Sequence, residues 1–150
     1  MIRQRFLRVM LTAMLGLLSL NAMAGSKDFG DHRVLYSVFP STFLSPEVAQ
    51  ANNLQRSRGI GVVSISIMEE TGENTMKPLS GQVEGQVNND IHQVRQHGFR
   101  RISEGDTVYF IAQYQYGTGE LMTFNITARP TGTNKELALR SPIPCSMTDK

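Results

Sequence analysis

Asp106–Pro130 reads DTVYFIAQYQYGTGELMTFNITARP. In its first half Val108, Phe110, Ala112, Tyr114 and Tyr116 fall on one face, and Thr107, Gln113 and Gln115 on the other, with Tyr109 and Ile111 as apolar exceptions. After Gly117-Thr118-Gly119 the alternation resumes, with Met122, Phe124, Ile126 and Ala128 set against Thr123, Asn125, Thr127 and Arg129. A period of two puts successive side chains on opposite faces of a strand. Two such runs around a short glycine-bearing break read as a β-hairpin with one buried face. This stretch predicts an all-β core.

Working outward, the same period recurs. Ile60–Met68 has Val63, Ile65 and Ile67 inward with Ser64 and Ser66 outward, and Glu69–Asn74 follows as a polar turn. Ser80–Val87 alternates through Val83 and Val87, with Gly81 and Gly85 on the same face. Glycines so placed mark a bulge or the close approach of another backbone. Ile91–Ile102 is strand material broken at Gly98, and Leu137–Arg140 is a last short strand. Upstream, Gly25–Gly30 is a polar lead-in to a first strand at His32–Phe39. Ser45-Pro46-Glu47 then starts a helix with an N-cap serine, a first-turn proline and an acid at the positive end of the dipole. It runs to about Asn53, with Phe43 and Leu44 placed to pack against Val48. The sum is an antiparallel immunoglobulin-like β-sandwich of about seven strands with one short helix after the first strand. A small barrel shares the same periodicity.

Residues 1–24 read as a cleaved signal peptide. Arg3, Arg5 and Arg8 precede the apolar run Val9–Leu20, which is short for a bilayer span, and Ala22-Met23-Ala24 supplies small residues for cleavage after Ala24. The expected divisions are 1–24 signal, 25–130 sandwich domain and 131–150 last strand with a flexible tail. Without the signal, twelve Lys and Arg stand against thirteen Asp and Glu, a formal charge of −1. No basic stripe recommends nucleic acid, and no membrane span is expected in the mature form. Cys145 is the single cysteine, so no intrachain disulfide can form despite an exported, oxidising destination.

Local catalytic signatures are absent. There is no nucleophile elbow, phosphate loop, HExxH or paired CxxC. The closest acid pairs, Glu69 with Glu70 and Glu104 with Asp106, sit at turns, where carboxylates are ordinarily solvated. His92 and His97 are five apart and would point to opposite faces of a strand. A copper or zinc site through His32, His92, His97 or a methionine is the alternative reading, with no cofactor as the expectation. What remains is surface. Phe39, Phe43 and Leu44 before the helix, with Arg56 and Arg58 after it, form an apolar patch edged by arginines, which suits a protein partner.

The runs Ser41-Thr42-Phe43-Leu44-Ser45-Pro46-Glu47-Val48-Ala49 and Glu104-Gly105-Asp106-Thr107-Val108-Tyr109 are similar to a family of small exported gammaproteobacterial proteins catalogued as domain of unknown function 4426. The resemblance extends to about Pro130. It implies a periplasmic immunoglobulin-like sandwich and brings no activity, cofactor or catalytic residue with it. The expectation is a non-enzymatic periplasmic binding or assembly module, with another envelope protein as partner. A metal or small-ligand carrier is the alternative.

Overall fold

The computed structural model describes residues 23–94, 98–117 and 119–143. Nine strands follow one another: β1 (Met23–Phe29), β2 (His32–Pro40), β3 (Ile60–Gly72), β4 (Thr75–Leu79), β5 (Gly81–Asn88), β6 (Arg100–Glu104), β7 (Thr107–Gln115), β8 (Thr123–Pro130) and β9 (Leu137–Pro142). A 3-10 turn (Ser41–Phe43) and helix α1 (Pro46–Ala51) lie between β2 and β3. One antiparallel sheet runs β1-β2-β3-β7-β6, with β4 alongside the second half of β3, and the other runs β5-β8-β9. Without β1 and β4, a four-stranded sheet β2-β3-β7-β6 faces the three strands β5-β8-β9. That is the four-plus-three order of a constant-type immunoglobulin sandwich. The seven expected strands are this frame. The two added strands are the difference, and α1 follows the second strand instead of the first.

Asp106–Pro130 is not a hairpin. β7 pairs with β3 and β6, whereas β8 pairs with β5 and β9 in the other sheet. The chain passes from one sheet to the other between Gln115 and Thr123, and Tyr116 and Met122 stay buried at the two ends of the crossing. Both expected faces are correct, with Phe110, Ala112, Tyr114, Phe124, Ile126 and Ala128 all buried. Alternation reports which face is buried; it does not report which strand supplies the hydrogen bonds. Two sheets sharing one core therefore look like one folded sheet.

The core joins Val34 and Val38 of β2, Val63, Ile65 and Ile67 of β3, and Val87 of β5 to the inward faces of β7, β8 and β9. Two aromatic residues lie over cross-strand glycines. A side chain at Gly25 would collide with Tyr36, and one at Gly61 with Tyr114. The expected close approach at Gly81 and Gly85 is also present: a Cβ at either would run into the β8 backbone at Arg129 or Asn125. Gly85, at φ 154, lies opposite Ile126.

Three local expectations are corrected. Gly25–Gly30 is not a lead-in, because Gly25–Phe29 pairs with β2 along its length. Glu69–Asn74 is mostly strand, because β3 runs to Gly72 before turning into β4. Among the described residues of Ile91–Ile102, strand is found only at Arg100–Ile102, within β6. Buried Asn89 folds the preceding segment into a turn: its Oδ1 accepts from the Gln93 N–H at 2.8 Å and its backbone N–H donates to Gln93 O at 3.1 Å. That leaves Ile91 and Val94 exposed.

The register defines two ends. Ile60, Gln115, Thr123 and Asn88 meet at one, where α1 lies; His32, Glu69 and Leu137 meet at the other.

Candidate functional site

At the helix end, each turn of the β2–β3 connection is fixed by a specific bond. Ser45 Oγ accepts from the Val48 N–H at 3.2 Å, as its N-cap position requires, with Pro46 and Glu47 in the first turn. The helix closes by the paired bonds Leu54 N to Ala49 O (2.8 Å) and Asn53 N to Gln50 O (3.2 Å), with Asn53 left-handed at φ 54. This is a Schellman stop with asparagine in place of glycine. Arg100 of β6 donates to the carbonyls of Asn52 and Asn53, placing a cation at the negative end of the helix.

Three contacts then hold the return loop on the sheet. Ala49 and Leu54 are buried outside the inter-sheet core, as are the paired Val62 and Gln113 of β3 and β7. The Gln113 amide pairs with the Gln55 backbone like a neighbouring strand: Oε1 accepts from the N–H at 2.9 Å and Nε2 donates to the carbonyl at 2.8 Å. Fully buried Ser41 donates through Oγ to Ser57 O at 2.8 Å and accepts from the Ser57 N–H at 2.9 Å. This serine staples the 3-10 turn to the loop that carries the arginines. It is why Phe43 and Arg56, far apart in sequence, occupy one platform.

The expected patch is thus assembled in part. Phe43 is 44% exposed, Leu44 is half-buried, and Arg56 and Arg58 are exposed. Arg56 donates weakly to Thr42 O at 3.4 Å, and Arg58 makes no hydrogen bond or ion pair among the described residues. Phe39 packs against the core and leaves the patch. Val48, expected under Phe43, is itself 46% exposed and joins it. Sequence reasoning missed three further members of this end, namely Ile91 and Val94 after β5 and Leu121 in the β7–β8 crossing. Of the six large exposed apolar side chains among the described residues, only Leu35 lies away from this end. Clustering of this kind marks an interaction surface more than scattered exposure does.

The other candidates are separated. His32 is buried at the far end, its Nδ1 3.0 Å from Asp31 Oδ1. His92 sits in the exposed turn at the helix end with φ 62, and His97 lies outside the described residues. The structure does not bring His32 and His92 together, and no group of three His, Cys, Asp or Glu among the described residues is placed to hold a metal. Lys135 hydrogen-bonds the exposed Asp31 and, with smaller help from His32, lowers its pKa. Glu69 pairs with Lys77 at 3.4 Å while Glu70 faces the other side of the strand. Glu104 and Asp106 flank the left-handed Gly105 in an exposed turn. A cleft of about 500 Å³ at this end is lined by Asp28, Arg33, Glu70, Asn74 and Met76 beside His32. Its arginine already bonds Asp28. Residues 1–22 and Cys145 lie outside the described residues, so the tail thiol and all of the expected signal segment but Met23 and Ala24, which open β1, have no structural account. No helix among the described residues is long and apolar enough to cross a membrane.

Residues 26–141 match the family described as domain of unknown function (DUF4426). A crystal structure of a DUF4426 family protein from Pseudomonas aeruginosa is similar to this chain, with a TM-score of 0.66 and 31% identity. The match covers 80% of this chain and 94% of that one. No curated protein matches the chain.

Proposed function

We propose, for a chain that belongs to the family of domain of unknown function 4426, a non-enzymatic role as a binding or assembly module of the periplasm that presents the helix end of its sandwich to another envelope protein. One observation carries this reading. Phe43 and Val48, each nearly half exposed, stand on a platform fixed by Ser41, Ser45, Gln113 and Arg100, with the cations of Arg56 and Arg58 at its rim. Rigid apolar anchors inside a polar rim are the anatomy of a protein interface, and prior ordering lowers the entropy lost on binding. The rim charge calls for a partner with carboxylates around an apolar centre.

The test is site-specific photocrosslinking in cells of the source organism. A photoreactive side chain at Phe43 or Val48 should give a discrete adduct in the periplasmic fraction, and the same group at Leu35 should not. Arg56→Glu with Arg58→Glu should remove the adduct. Adducts at Leu35 alone, none at either anchor, or turnover of a substrate abolished by one side-chain change would overturn the reading.

A further inference from the structure

Five strands lie at sheet edges, and four are guarded or short. β4 and β6 have five residues each, β4 with Lys77 and Pro78 and β6 with Arg100 and Arg101. The helix end of β5 is bridged by the chain returning at Val94. β1 has Lys27 and Asp28 at exposed positions. β9 differs. It pairs with β8 on one side, and no strand among the described residues pairs with it on the other.

The direction of its backbone groups follows from two bonds. Ile143 N–H donates to Met122 O at 2.8 Å, extending the β8 ladder, so the odd-numbered residues of β9 bond inward to β8. Ala138 O instead accepts from Lys27 Nζ at 3.2 Å. The even-numbered groups, Ala138 N–H and O and Arg140 N–H and O, therefore face away from β8. Such a row is a template for one more strand. Beside it lies a groove of about 350 Å³ lined by Lys27, Asn125, Thr127, Ala138, Leu139 and Arg140. Lys27 and Arg140 are exposed, Arg140 has no ion pair among the described residues, and no acid lines the groove.

We propose that the free edge of β9 accepts an extended acidic segment of a partner polypeptide as an added antiparallel strand. The main chain of the segment bonds Ala138 and Arg140, and its carboxylates meet Lys27 and Arg140. Lys27 gives up its bond to Ala138 O and turns to a carboxylate, so the edge is capped in the free protein and opened by the ligand. Main-chain pairing supplies affinity in this mode and the side chains flanking the edge supply selectivity. A second copy of this chain fits less well: β9 against β9 in antiparallel register places Arg140 of each copy beside Lys27 of the other. This surface is separate from the helix end, so either proposal can fail without the other.

The probe is the synthetic peptide Glu-Val-Glu-Thr-Glu-Val-Glu, with a counterpart carrying lysine at each glutamate, titrated into the isotope-labelled processed chain. The acidic peptide should shift the Ala138 and Arg140 amides and leave β6 unmoved; the basic one should not bind. Ala138→Pro removes an outward N–H that β8 does not use and should weaken binding about three- to tenfold, the loss of one ladder hydrogen bond. Arg140→Glu, at an exposed side chain, should exchange the preference of the two peptides, and it keeps the test valid if the proline variant does not fold. Absence of shifts, shifts elsewhere, equal binding of both peptides, or a dimer in sedimentation that Ala138→Pro dissociates would each overturn the assignment.

Discussion

Replacing Ser41 by alanine isolates the staple on which the candidate surface depends. Ser41 is fully buried, and its hydroxyl donates to Ser57 O and accepts from the Ser57 N–H. A buried hydrogen bond contributes about 0.5–1.5 kcal/mol net, and an abandoned partner that stays buried adds its own desolvation cost. Ser57 C=O keeps its bond from the Ile60 N–H at 3.2 Å, so only the Ser57 N–H is orphaned, and the expected loss is about 2 kcal/mol. For a domain of this size that lowers Tm by roughly 7 °C. The assay is thermal unfolding of the processed chain followed by circular dichroism, with hydrogen exchange at the Ser57 amide as the local readout. Ser57→Ala is the control: only its backbone enters the staple, so Tm should hold within about 2 °C. The loop of Ser41→Ala should also lose its hold on Arg56 and Arg58, weakening partner capture at temperatures where the variant is fully folded. A Ser41→Ala protein that melts with the parent and keeps Ser57 protected would refute the reasoning.

Tyr114 offers a pH test, since burial, and to a lesser degree neighbouring Tyr116, raises its pKa above the ordinary 10.0. A raised acid contributes stability that is present below pH 10 and declines as pH climbs above it. Tyr114→Phe should flatten that alkaline decline. It should also leave neutral stability equal or about 1 kcal/mol higher, because the buried hydroxyl has no hydrogen-bond partner; a steeper alkaline loss would contradict this. Gly61→Ala should cost about 1–3 kcal/mol by driving a methyl group into the Tyr114 ring, and a second change, Tyr114→Leu, should make the alanine nearly neutral; additive losses would sink the pairing. Asp31 titrates below 3.8, chiefly through its hydrogen bond from Lys135. Its contribution is present above 3.8 and fades as pH falls through its folded pKa. Lys135→Ala should move the Asp31 titration upward in an NMR pH series, and an unmoved curve would show that the pair is not formed in solution.

What could be read from the sequence was what one strand carries within itself. Val63, Ile65 and Ile67, or Phe124, Ile126 and Ala128, announce their buried face because a period of two survives any choice of neighbour. Ser45-Pro46 announces a helix start because its bonds are local. β1 left no such trace. Met23 and Phe29 are its only apolar anchors, Gly25 has no side chain at all, and the contact with Tyr36 depends on that absence. Pro78 hid β4 in the same way, since a missing N–H argues against a strand unless that N–H would have faced away from the ladder. The patch was legible as Phe43, Arg56 and Arg58, but Ser41 was not, because a buried serine looks like any loop serine until its partner sixteen residues on is in place. Ile91, Val94 and Leu121 were hidden for the opposite reason: apolar residues are expected to go inside, and only the Asn89 turn and the crossing between sheets turn them out. The residues hardest to read locally are those that give this end its surface, because binding groups must be left over after the core has taken what alternation promises it.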